Sequence, residues 1–170
     1  MTNDRIDAIV KKLIKKHNTR DPQKLATRMG IHILYRDDYV DLKGMYTVIE
    51  RNRYIFLNNN LSEDELKTVC AHEIGHDVLH RTLAKSTPLK QLTLYDMTSR
   101  TESEANMFAS SLLVNDQELL SLVEEGVDSV ESAAYHLGVD VNLVLMRLHE
   151  LNKQGHAVIQ PYAPDRNFLK

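Results

Sequence analysis

The pentapeptide His72-Glu73-Ile74-Gly75-His76 lies within Leu61–Leu83, a stretch free of proline. Ser62 and Glu65 open that stretch as an S-x-x-E capping box, which starts a helix ten residues before His72. On a helix, positions four apart share a face, so His72 and His76 can aim ring nitrogens at one ion. Glu73 is rotated by about 100° from His72, which sets its carboxylate beside the ion's open position rather than on it. That pattern suits a Zn²⁺ that binds water while a neighbouring carboxylate takes the water's proton. Leu66, Val69, Cys70, Ile74, Val78 and Leu79 surround the polar residues on several faces, the composition of a buried helix. Two histidines and a glutamate inside a core must be satisfied, and a metal does so economically. The competing explanation is a purely structural histidine pair.

Catalytic zinc usually takes three protein ligands and water, so a third donor is needed. The downstream candidates are His80, Glu102, Glu104 and His136. His80 continues the four-residue spacing, but an intact helix carries it about 12 Å along the axis from His72, too far for one ion. It reads better as a residue that steadies a ligand, or as a hydrated residue at the helix end. The segment Arg100–Val114 repeats Ala105, Phe108, Ala109 and Leu112 at three and four, an amphipathic helix with one core face. Glu102 and Asn106 share another face, where the carboxylate can ligate zinc and the amide can steady a ligand imidazole. A first-turn glutamate favoured by the helix dipole is the plainer reading of Glu102 taken alone.

Together, HEIGHDVLH and the downstream Glu102–Leu113 segment resemble the ImmA/IrrE family of zinc metallopeptidases, which occur in mobile elements, phages and stress regulators. The resemblance extends more weakly over most of the chain. It implies His72, His76 and Glu102 as zinc ligands and Glu73 as catalytic base, with Asn106 on the family's frequent asparagine and Glu104 the weaker ligand choice. Val114-Asn115 replaces the Met-Pro that often follows the Leu-Leu pair. The implied fold class is α+β, a zincin-like core with a small antiparallel sheet, a zinc helix and a helical C-terminal part. The expected division is 1–114 for the peptidase core and 115–170 for helices packed on it or appended to it.

Charge and composition narrow the partners. A formal charge of −3 argues against nucleic acid or anionic membrane as the main partner. No apolar run has membrane-spanning length and no signal-peptide pattern opens the chain. A single cysteine cannot form an internal disulfide, which fits a reducing cytoplasm. Cys70 is expected in the core rather than on the metal.

In chain order, Arg5–His17 is an amphipathic helix with a lysine-rich outer face. A short helix opens at Asp21-Pro22 and ends at Gly30, and Ile31–Tyr35 alternates as a strand. Leu42–Ile49 and Tyr54–Asn58 form a hairpin, one strand of which either lines the cleft and holds an extended peptide or serves as ordinary interior scaffold. Arg81–Arg100 has no clear period and reads as a loop, within which Tyr95 and Arg100 are candidate oxyanion donors, as is His80. Asp116–Glu125 is a short helix. Ser129–Leu137 and Asp140–Leu151 form a helix–turn–helix shape whose second helix carries one arginine and no lysine, too few cations for phosphate contacts. Gly155–Lys170 reads as a strand end and a loose tail.

The function expected on these grounds is a cytoplasmic zinc-dependent endopeptidase. The resemblance implies a helix-turn-helix transcriptional repressor as its substrate. The alternative is a zinc-stabilised antirepressor that sequesters the repressor uncut. An intact Glu73 argues against it, because a purely structural metal site needs no carboxylate there.

Overall fold

In the computed structural model, residues 1–86 and 99–156 are described. Their elements run α1 (Asn3–His17), α2 (Pro22–Arg28), β1 (Ile31–Arg36), β2 (Gly44–Ile49), β3 (Asn52–Asn58), α3 (Glu63–Ser86), α4 (Arg100–Leu113), α5 (Asp116–Glu124), α6 (Val130–Leu137) and α7 (Val141–Lys153). The fold is α+β, with a small sheet and a helical C-terminal part. No described helix is long and apolar enough to cross a membrane.

The sheet corrects one expectation. Its strand order is β1-β3-β2, and only the β2–β3 pair is antiparallel; β1 runs parallel to β3. The reason is the connection. After β1 the chain crosses the end of β3 to the far edge, descends as β2, and returns through a tight hairpin as the central strand. That hairpin turns on Glu50 and Arg51, both left-handed (φ 49° and 69°), so β2 and β3 are joined by two residues rather than the four expected.

Beneath β2 and β3 lies α3, and α4 packs along α3. Gly75 makes that second contact possible, since a Cβ there would lie 3.1 Å from the Ala105 Cα and 3.2 Å from the Phe108 Cβ. The capping box at the start of α3 forms as expected: the Ser62 amide donates to Glu65 Oε2 (3.0 Å) and the Glu65 amide to Ser62 Oγ (3.3 Å). Its end differs, because α3 continues through Ser86 where a loop is expected from Arg81. The remainder of that loop reading, Tyr95 included, lies outside the described residues, as does the tail beyond His156.

One continuous core takes Ile74 and Phe108 together with Leu143 and Val144 of α7. Arg147 of α7, 1% exposed, donates to Asp7 of α1 (2.7 Å) and Asp116 of α5 (2.7 Å). A buried guanidinium with two carboxylates is satisfied in place, and removing the guanidinium would leave both carboxylates without their cation. The arginine of the helix–turn–helix shape is therefore spent inside the protein, and α7 is buried over most of its length.

Candidate metal centre

Burial of charge is the first fact about α3. His72, Glu73, His76, Asp77 and His80 are all buried, as are Glu102 and Asn106 of α4. Such groups are costly unless paired or bound to an ion. The α3–α4 contact brings three of them to one point. His76 Nε2 lies 3.0 Å from His72 Nε2, Glu102 Oε2 lies 3.1 Å from His72 Nε2, and Glu102 Oε1 lies 3.3 Å from His76 Nε2. Zinc bonds of 2.0–2.1 Å at tetrahedral angles imply donor separations of about 3.3 Å. The three side chains therefore stand at the spacing of one face of such a tetrahedron. Among the described residues they are the one group of histidine, cysteine and carboxylate side chains gathered closely enough to hold an ion. Glu102 Oε1 is buried without a hydrogen-bond partner, as an atom kept for a cation would be.

The surroundings set the tautomers. Asn106 Oδ1 lies 2.7 Å from His72 Nδ1, so that nitrogen carries the proton and the Nε2 lone pair faces Glu102. His76 Nδ1 lies 3.1 Å from His80 Nδ1, and His80 Nε2 lies 3.1 Å from Glu104 Oε2. With Glu104 accepting from His80 Nε2, the other ring nitrogen of His80 accepts from His76, and the His76 Nε2 lone pair is left inward. Burial lowers the His76 and His80 basicities, which favours the neutral rings a metal needs. Burial works to raise the Glu102 carboxyl, but the adjoining His72 and His76 rings outweigh it and hold the group below the usual carboxylate range. Two neutral imidazoles and one carboxylate form a donor set that fits zinc.

Glu73 sits to one side. Burial, and then the Glu102 charge, push its carboxyl well above the ordinary range, while the Tyr46 backbone amide donates to it and opposes the shift. Its Oε1 has no hydrogen-bond partner. Gly44 opens space over it, since a Cβ there would stand 3.4 Å from that oxygen and only 2.4 Å from Val69 Cγ1. A buried carboxylate with raised basicity and one free oxygen is equipped to take a proton.

The other candidates sort by place. Glu104 binds His80 and Arg100 rather than joining the three donors, and Arg100, exposed, is paired to Glu104 at 2.8 Å. His136 lies on α6, where its Nδ1 meets the Ser132 carbonyl. Cys70 is fully buried in the core. Sequence reasoning missed Asp77, which is fully buried and receives the Tyr46 hydroxyl (2.7 Å), Arg53 (3.0 Å) and Arg81 (2.7 Å). Glu73 and Asp77 are four apart on α3, so one helix face grips Tyr46 twice, by its backbone amide and by its hydroxyl. The His-Glu-x-x-His-Asp string contains that signal, but the partner on β2 is thirty-one residues away from Asp77.

Comparison with known proteins follows the same residues. A protein of Bacillus phage phi105 described as "uncharacterized immunity region protein 2" is 39% identical over 111 residues, which cover 65% of this chain and 69% of the relative. The Peptidase M78 family model, described as the IrrE N-terminal-like domain, matches residues 26–149, the span that holds the sheet, α3, α4 and most of α7. The chain belongs to the IrrE N-terminal-like family of M78 peptidases.

Proposed function

We propose that this protein is a zinc-dependent endopeptidase acting on a specific protein substrate. The observation that carries the reading is the meeting of His72, His76 and Glu102 within 3.3 Å of one another, beside a buried Glu73 with one free oxygen. Those three side chains would hold the ion. Bound there, zinc supplies Lewis acidity to a peptide carbonyl and lowers the pKa of water toward neutrality. Glu73 accepts the proton of the attacking water and returns it to the departing amine. Asn106 and the His80–Glu104 pair keep the two ligand rings in the tautomer that points Nε2 inward. Among the described residues β2 is an edge strand over α3, and its outer side offers backbone groups to an extended peptide.

The substrate class we infer is a helix-turn-helix repressor of a mobile element, phage or stress regulon. Membership of the M78 family and the likeness to a phage immunity-region protein support that reading. Co-expression with candidate repressors, followed by mass spectrometry, tests it. Repressor fragments are expected with the parent protein. A Glu73→Gln variant should retain zinc and lose about 10²–10⁴-fold in rate. An intact repressor held in a complex by both proteins would favour sequestration instead, and undiminished cleavage by Glu73→Gln would refute the assigned base.

A further inference from the structure

Three consecutive asparagines, Asn58, Asn59 and Asn60, follow the central strand and have no part in the metal centre. They hold the connection that crosses the end of β3, residues 37–43. Asn58 Nδ2 donates to the carbonyls of Tyr39 (3.2 Å) and Leu42 (3.0 Å), and the Asn58 backbone amide donates to Lys43 (2.9 Å). Asn60 Nδ2 reaches the carbonyls of Asp37 (3.3 Å) and Tyr39 (3.4 Å), and Asn59 Nδ2 reaches the Asp37 carboxylate (2.8 Å). Asn58 is itself 3% exposed, so the clamp is built into the body of the protein.

A loop fixed at four of its seven residues has given up conformational freedom, yet its tip is not used for packing. Val40 is 89% exposed. The same loop runs directly into Gly44, over the free oxygen of Glu73. The Arg36 guanidinium lies 5.8 Å from the centre of the Tyr39 ring and backs it. Rigid loops on a scaffold beside reactive groups are binding elements, and ordering them in advance lowers the entropy lost on binding.

We propose that residues 37–43 form a specificity lip that grips an extended peptide beside Glu73, with Val40 and the Tyr39 ring receiving one apolar side chain of that peptide. This inference rests on the peptidase reading of the site. It assigns the loop a partner of stated chemistry, a peptide segment with an apolar residue near the bond that faces Glu73.

The test uses the full chain loaded with zinc in a Glu73→Gln background, so that bound peptides survive. A random dodecapeptide display library is selected on it, and synthetic versions of the winners are titrated by fluorescence anisotropy. The selected peptides should share an apolar residue at one position. Val40→Asp should weaken them by about tenfold or more, and much less once that residue is changed to alanine. Asn58→Ala, which frees the loop without touching its tip, should weaken them as well. Equal binding to the Val40→Asp protein, or no selected peptide at all, overturns the proposal. Exposure of the same peptides to the parent protein separates the two claims: bound but uncut peptides sink the peptidase reading alone, and cut peptides indifferent to Val40→Asp sink the lip alone.

Discussion

Replacing Gly75 with alanine puts a methyl group into the seam where α3 touches α4. Its Cβ would stand 3.1 Å from the Ala105 Cα, 3.2 Å from the Ala105 carbonyl oxygen and 3.2 Å from the Phe108 Cβ. Carbon atoms rest at about 3.5–4.0 Å, so α4 must retreat by roughly 0.4 Å. Two energies oppose each other. Alanine is favoured over glycine inside a helix by about 1 kcal/mol, and overpacking a tight core costs about 1–3 kcal/mol. The net loss is about 0–2 kcal/mol, small enough for the variant to fold. The metal centre is less forgiving. Glu102 lies three residues before Ala105 on the same helix, and ligand distances tolerate only about 0.2 Å. Zinc affinity is therefore expected to fall by roughly tenfold or more, the lower end of the range for displaced ligand supports. Competition against a chromophoric chelator measures it, and thermal unfolding of the metal-free protein measures stability in parallel. A Gly75→Ala protein with parental zinc affinity would refute the claim that this glycine sets the reach of Glu102.

The remaining predictions concern the surroundings of the site and the frame that carries it. Asn106→Ala removes the acceptor for His72 Nδ1 and should weaken zinc by about 10–100-fold in the same competition assay, with unchanged affinity counting against the tautomer assignment. Asp116 has a depressed folded pKa: burial raises it, but the hydrogen bonds and charge of Arg147 outweigh that. Its contribution is present above the unfolded value of about 3.9 and is lost as pH falls through the folded value. Urea denaturation should show Asp116→Asn less stable than the parent at neutral pH and flatter in that acid window. Parallel pH profiles would contradict the pairing.

Much of the centre could be read from local sequence, because its signals are helical. His72, Glu73 and His76 lie within one turn, and Ser62 with Glu65 announces the helix that carries them. Four-residue spacing put Glu102 and Asn106 on one face of a second helix, but spacing alone left Glu102 as readily a first-turn carboxylate, and its role as a ligand came from the family resemblance. Other features depend on which distant residue meets which. Gly75 reads as an unremarkable position until α4 lies against it. Asp77 looks like a surface residue until Tyr46, Arg53 and Arg81 surround it. The parallel pairing of β1 with β3 comes from a connection crossing the sheet end, and alternation within a strand carries no information on direction. The part played by the three asparagines is likewise set by distant partners, and only the folded chain shows them tied to Asp37, Tyr39 and Leu42. The glutamate pair divided in the same way, since spacing offered both Glu102 and Glu104 and only the crossing of α3 and α4 sends the second to His80.

Anomalous diffraction at the zinc absorption edge, from crystals of zinc-loaded protein, addresses the metal centre itself. A single peak is expected, bounded by His72 Nε2, His76 Nε2 and the Glu102 carboxylate, with Glu73 beside it and outside bonding distance. A peak that excludes Glu102, a peak that takes Glu73 as a ligand, or no peak at a saturating concentration of added zinc would contradict the account.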